Sequence, residues 1–189
     1  SGITSYSVSV ANSVIEITVE GTPIHGSATV SNDPVNNVSL SVGDNVVTLT
    51  CTAEDEITTK EYTVTVARLS NYANLSGITL SSGGLSPAFS SGITAYSVSV
   101  TSDITEITIT GTANHGSATV DNSPLNNVSL SVGDNVVTLT CTAEDGTTTK
   151  VYTVTVTRPA SSDADLSGIT VSEGTLSPAF DSGTTSYSV

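Results

Sequence analysis

A chain of 189 residues carrying 18 acidic and 4 basic side chains, with a net charge of −14, has no basic patch for neutralising phosphates, which excludes nucleic-acid binding. The same balance argues against an anionic membrane surface, and no run approaches the ~18 uninterrupted apolar residues of a spanning helix. The hydrophobic 37% is mostly Val, Ile, Leu and Ala, with no Met or Trp, and no stretch shows helical spacing, so the expected fold class is all-β.

Residues 1–10 (SGITSYSVSV) open the chain as a strand with Tyr6, Val8 and Val10 on one face, and return as 91–100 and, shortened, as 182–189. A second strand is expected at 16–20, with Ile17 and Val19 inward. A turn at His25-Gly26 leads into a short strand at 28–30. The run NNVSLSVGDNVVTLTCTAED then spans 36–55 and recurs letter for letter at 126–145, an offset of 90 that marks internal repetition. Its apolar residues alternate on both sides of Gly43-Asp44-Asn45, which predicts two antiparallel strands joined by a tight turn there. The strand that follows, 58–68, places Tyr62, Val64 and Val66 on one face. Its hairpin tip in the second repeat is Asp145-Gly146, where Gly accepts positive φ freely. The first repeat has Asp55-Glu56 instead, so its turn should differ in type or be strained.

The joint between repeats is 69–74, and 159–165 is its counterpart, one residue longer. The segment 75–89 (LSGITLSSGGLSPAF) opens the second repeat and recurs at 166–180 (LSGITVSEGTLSPAF). Each is expected to give a first strand, a Gly turn and a Pro-containing edge. About seven strands per repeat predict tandem β-sandwich domains of immunoglobulin-like type. The boundaries are 1–68 for a sandwich lacking its first strand, 75–158 for a complete one and 166–189 for the opening strands of a third. The chain reads as a window cut from a longer array.

The runs LSGITLSSGGLSPAF, AYSVSV and VTLTCTAEDGTTTKVYTVTVTR resemble the bacterial cadherin-like β-sandwich repeat through Leu75, Ser76, Gly84, Leu85, Pro87, Phe89, 143–147, Tyr152 and Arg158. The resemblance implies a surface or secreted bacterial protein whose domains act as stalks or interaction modules, without catalytic residues.

The candidate sites are few. Glu144 and Asp145 at a hairpin tip, with Asp163 and Asp165 in the second joint, are the calcium candidates, because calcium takes six to eight hard oxygens and a joint draws them from two domains. Against them, the first joint has Asn71 and Asn74, and no EF-hand spacing occurs. Glu54, Asp55 and Glu56 crowd the other tip. Cys51 and Cys141, one per repeat, read as buried free thiols, and His25 and His115 as solvated turn residues. Lys60 and Lys150 raise the possibility of a Lys–Asn bond inside the core. Asn37, Asn74 and Asn127 stand in N-x-S contexts. No nucleophile–base–acid set or phosphate loop is present, and without Trp a lectin reading is weak.

The expected role is structural, a cell-surface stalk or filament of end-to-end sandwiches whose partners are neighbouring repeats or copies of itself. Strand complementation between chain ends, with 166–171 completing a sandwich in another molecule, is the less favoured alternative to an arbitrary cut through a continuous array, which the overlap of SGITSYSV and SGTTSYSV supports. The competing reading is an adhesin module gripping a protein or glycan through loops at one end, since the repeats differ mainly at 21–24, 31–35 and 56–61.

Overall fold

The computed structural model describes residues 2–31, 34–121 and 123–189. They form strands and turns only: β1 (Ser5–Val10), β2 (Glu16–Val19), β3 (Thr29–Ser31), β4 (Val35–Ser39), β5 (Gly43–Thr52), β6 (Thr59–Arg68), β7 (Leu75–Leu80), β8 (Ala95–Ser99), β9 (Glu106–Ala113), β10 (Thr119–Asp121), β11 (Leu125–Ser129), β12 (Gly133–Thr142) and β13 (Thr149–Arg158). Positions 32 and 33, inside the divergent stretch 31–35, lie outside the described residues.

The strands of the second repeat make two sheets, β10-β12-β13-β8 and β11-β9-β7. Alternation in β12 and β13 turns Leu139, Cys141, Tyr152, Val154 and Val156 inward, where they meet Leu75 from β7 and Ile107 and Ile109 from β9. These side chains are fully or almost fully buried, and each aliphatic one contributes roughly 1.5–3 kcal/mol by leaving water. The β12–β13 ladder is unbroken from Gly133↔Arg158 to Thr142↔Thr149, while β8 lies parallel to β13. Parallel neighbours need a crossover, and the chain makes it by way of β9 and β11 in the other sheet.

The first repeat keeps the larger sheet, in the order β1-β6-β5-β3, but its second sheet has only β2 and β4. Strand β2 ends at Val19, whereas its counterpart β9 continues through Ala113, held by β7 along its free side.

The structure corrects two expectations. The strands flanking Gly43-Asp44-Asn45 do not pair with each other: β4 pairs with β2, and β5 with β6 and β3. The chain crosses between sheets at this point. Asn45 pins the crossing, accepting from Ser41 N–H at 2.9 Å and donating toward Ser41 O, Gly43 O and Val66 O. Period-2 alternation fixes which face a side chain takes and leaves its partner strand open. The second correction concerns 166–171, which forms no strand in this chain. The equivalent β7 is a strand because β9 offers it a ladder, and among the described residues β2 is the only other strand of that type. Beyond β13 the regular pairing is the bridge Ser177↔Ser188, the counterpart of Ser86↔Ser97.

The tip at Asp55-Glu56 keeps the turn of Asp145-Gly146, with Glu56 at φ 59° against 68° for Gly146. Glu56 is therefore strained, as a side chain in left-handed backbone must be.

The joint is tied on both sides. Leu69 N–H donates to Val10 O and Asn12 Nδ2 to Leu69 O, while Arg68 reaches Asn12 O and Leu40 O. Buried Ser70 donates its N–H to Glu144 Oε2 at 2.9 Å and accepts from Asp145 N–H at 3.1 Å. Both backbone polar groups of Ser70 are thus held by the next hairpin.

Candidate functional site: an open strand groove

A concavity lies in the first repeat, where the second has β7. In the second repeat Gly77, Ile78, Thr79 and Leu80 pair with Thr112, Gly111, Thr110 and Ile109. Ninety positions earlier, Thr22, Gly21, Glu20 and Val19 border a groove of about 580 Å³ floored by Leu49 and Cys51 and walled by Tyr62 and Val64.

Identical side chains therefore sit in different surroundings. Tyr96 is 4% exposed and Val98 1%, whereas Tyr6 is 51% and Val8 44% exposed. The cause is the segment 85–89, whose Phe89 ring stacks on Tyr96 with centroids 5.9 Å apart. The Tyr96 hydroxyl donates to Ser90 O at 2.7 Å and accepts from Ser90 N–H at 3.1 Å. Phe180 and Tyr187 repeat that stack at 6.0 Å, and the Tyr187 hydroxyl repeats the bonds with Asp181.

At the mouth of the filled site, Lys150 Nζ donates to Asn74 Oδ1 at 2.7 Å and to Ser91 O at 2.6 Å, and lies over the Tyr152 ring at 5.3 Å. Tyr152 accepts from Leu75 N–H and donates to Ser91 O, both at 3.1 Å. Asn114 N–H donates to Asn74 O at 2.9 Å. Lys60 stands over Tyr62 at the same 5.3 Å, so the open groove presents its ammonium as the filled one presents Lys150. The Lys–Asn idea named no asparagine; the one beside Lys150 is Asn74. Two carbonyl oxygens and a ring face surround Lys150 Nζ.

The four calcium candidates fall into two places. Glu144 Oε2 is bonded to the first joint. Asp145 Oδ1 accepts from Thr147 and Thr148 N–H, and its Oδ2 accepts from the Thr148 hydroxyl. Those bonds, the Thr148 backbone first, hold its pKa down to about 2. Asp163 and Asp165 belong to the joint after β13, where Asp163 Oδ1 accepts from Asp165 N–H. Among the described residues no group of three or more His, Cys, Asp or Glu is placed to hold a metal ion.

Asp55 accepts the equivalent bonds from Ile57 and Thr58, and the Thr58 hydroxyl chiefly lowers its pKa. Both cysteines are free; Cys141 is buried, which raises its thiol pKa, and Cys51 lines the groove. His25 and His115 are turn residues, each accepting a backbone N–H at Nδ1, and His25 also lies 3.8 Å from Glu54. Of the three N-x-S asparagines, Asn37 and Asn127 have positive φ, and Asn74 is engaged by Lys150.

The sequence places the missing strand but not the side chains that gather around its position. Lys60, Cys51 and Tyr62 come from two strands of the facing sheet and converge only through the β5–β6 register, Cys51↔Lys60 and Leu49↔Tyr62. The signal available was their common inward parity with Val64.

The cadherin-like beta sandwich domain matches residues 1–69 and again 75–159. The chain belongs to that family. Cadherin-like domains are extracellular adhesion or structural modules and are non-enzymatic. Among solved structures the chain is similar to a protocadherin gammaB4 extracellular domain (12% identity, 83% of this chain and 31% of that one, TM-score 0.38). It is also similar to a protocadherin gammaB7 EC3-6 cis-dimer structure (13%, 87% and 48%, TM-score 0.39) and to the human desmocollin-1 ectodomain (11%, 87% and 41%, TM-score 0.26). The chain thus spans less than half of each of these proteins. No curated protein matches it.

Proposed function

We propose that this cadherin-like chain is a structural module of an extracellular repeat protein, a bacterial cell-surface stalk or secreted filament of end-to-end sandwiches. The observation that carries the reading is the joint. Ser70 is buried and bonded through both backbone groups to the next hairpin, while Leu69 is bonded to the preceding repeat. Such a joint transmits force and direction rather than hinging, which a stalk needs and an independent binding domain does not. The net charge of −14 keeps neighbouring rods apart in solution. Electron microscopy of the native material tests it. Straight rods or filaments with an axial repeat of one or two sandwiches are expected; chains that bend freely at 69–74 would remove the reading.

One observation favours the adhesin alternative. The divergent stretches 21–24 and 56–61 come together at one end of the first repeat, around the His25–Glu54 contact. If they grip a protein or glycan, exchanging them for the second repeat's residues should abolish adhesion to cells or glycan arrays.

A further inference from the structure

We infer that Asn37 and Asn127, the same position of successive repeats, are N-linked glycosylation sites, each taking one sugar chain on its side-chain amide. The inference draws on the extracellular class of the family and holds for a stalk and for an adhesin alike.

The chain has three Asn-x-Ser triplets, at Asn37-Val38-Ser39, Asn74-Leu75-Ser76 and Asn127-Val128-Ser129. The triplet alone is a weak signal in so Ser-rich a sequence. The fold separates the three.

Asn74 is closed. Its Oδ1 accepts from Lys150 Nζ at 2.7 Å, its backbone oxygen accepts from Asn114 N–H at 2.9 Å, and Leu75 beside it is fully buried. A sugar on this amide would displace Lys150 and crowd the start of β7.

Asn127 is open. It lies in β11, the outermost strand of β11-β9-β7, whose far edge pairs with no strand among the described residues. Leu125 faces Ile109 and Val128 faces Ile107, so β11 carries one residue more than β9 over this interval. Asn127, at φ 52°, stands in that bulge and is exposed. Val128 packs against the core, so Asn127 and Ser129 on either side of it turn to solvent. Among the described residues no hydrogen bond holds either side chain.

The first repeat reproduces each of these features. Asn37 has φ 53°, β4 shows the same register shift between Val35 and Val38, and its burial pattern is that of β11. The site lies on the side of β9 away from β7, so it is alike in both repeats. A left-handed bulge by itself asks for Asn or Gly and makes no demand two residues further on. Here a free, exposed hydroxyl stands there in both copies, which completes the triplet.

The co-substrate is a sugar carried on phosphate or pyrophosphate. The amide nitrogen bonds to the anomeric carbon as the bond from that carbon to the phosphate oxygen breaks. The leaving phosphate takes the electron pair, and a base of the transferase takes the amide proton. A sugar chain on the bulge of an edge strand then stands where a further strand would have to dock. The strands that carry it are nearly identical between repeats, the condition under which neighbours mispair, and the glycan guards their open edges.

The test is made on the native chain, digested and fragmented by electron transfer in a mass spectrometer. Sugar mass on Asn37 and on Asn127, with Asn74 bare, is expected. Two variants produced in the source cells follow: Asn127→Gly keeps the left-handed backbone, and Ser129→Ala keeps the asparagine. Each should remove one of the two additions, whereas Ser76→Ala should remove none. A bare Asn37 or Asn127 in native material overturns the inference. So does sugar on Asn74, or an addition at Asn127 that survives Ser129→Ala. Straight rods with bare asparagines would leave the structural-module reading standing. Glycosylated chains that bend freely at 69–74 would remove that reading and keep this one.

Discussion

Tyr152→Phe removes one oxygen from a site with no access to water. That oxygen accepts the Leu75 N–H and donates to Ser91 O. Ser91 O keeps Lys150 Nζ at 2.6 Å, so the loss falls on Leu75 N–H, a buried donor at the start of β7. Orphaning such a group costs about 1–3 kcal/mol. Taking ~2 kcal/mol and roughly 4–8 °C per kcal/mol for a unit of this size, Tm of the second repeat should fall by about 8–16 °C. The internal comparison is Tyr62→Phe. Tyr62 occupies the same position in a near-identical strand but borders the open groove, where water replaces the lost contact, so its cost should stay below ~0.5 kcal/mol. Both are measured by urea and thermal unfolding. Equal losses from the two substitutions would refute the claim that β7 and the turn before β8 are bolted to β13 through this hydroxyl.

Glu56→Gly relieves a side chain at φ 59° and should raise the stability of the first repeat by about 0.5–1 kcal/mol in urea unfolding, whereas Gly146→Ala should cost about 1 kcal/mol. An added Cβ at Gly146 meets nothing within 4 Å, so that cost is purely conformational. Asp145 has a folded pKa of about 2 against an ordinary 3.8, so its contribution is present above pH 3.8 and lost as pH falls toward 2. Denaturant unfolding across that window should show the loss, and Asp145→Asn should remove part of it. Intact mass of the unglycosylated chain should equal that of the sequence, because Lys150 Nζ is hydrogen-bonded to the Asn74 side-chain oxygen rather than joined to its carbon; a loss of one ammonia per repeat would contradict this. Added calcium or chelator should leave the melt unchanged, since Glu144 and Asp145 are already engaged and Asp163 and Asp165 lie in a different joint.

Alternation was enough to place the inward set Leu139, Cys141, Tyr152, Val154 and Val156, because a side chain's face depends only on its position in the pleat. Turn chemistry placed the β12–β13 hairpin, because Asp145 and Gly146 act within a few residues. Strand partnership was not legible at Gly43-Asp44-Asn45. Two alternating runs beside a Gly look the same whether they fold onto each other or pass to opposite sheets, and the Asn45 bonds to Val66 O exist only once β6 is in place. The fate of 166–171 was likewise outside the sequence. Its residues match β7 almost letter for letter, yet a strand is a property of a pair, and only the tertiary structure decides whether the second member is present. The repeat determined what each segment is fit to do. The packing determined that Leu75 is buried and Leu166 exposed, and that Tyr96 and Val98 are covered where Tyr6 and Val8 are not.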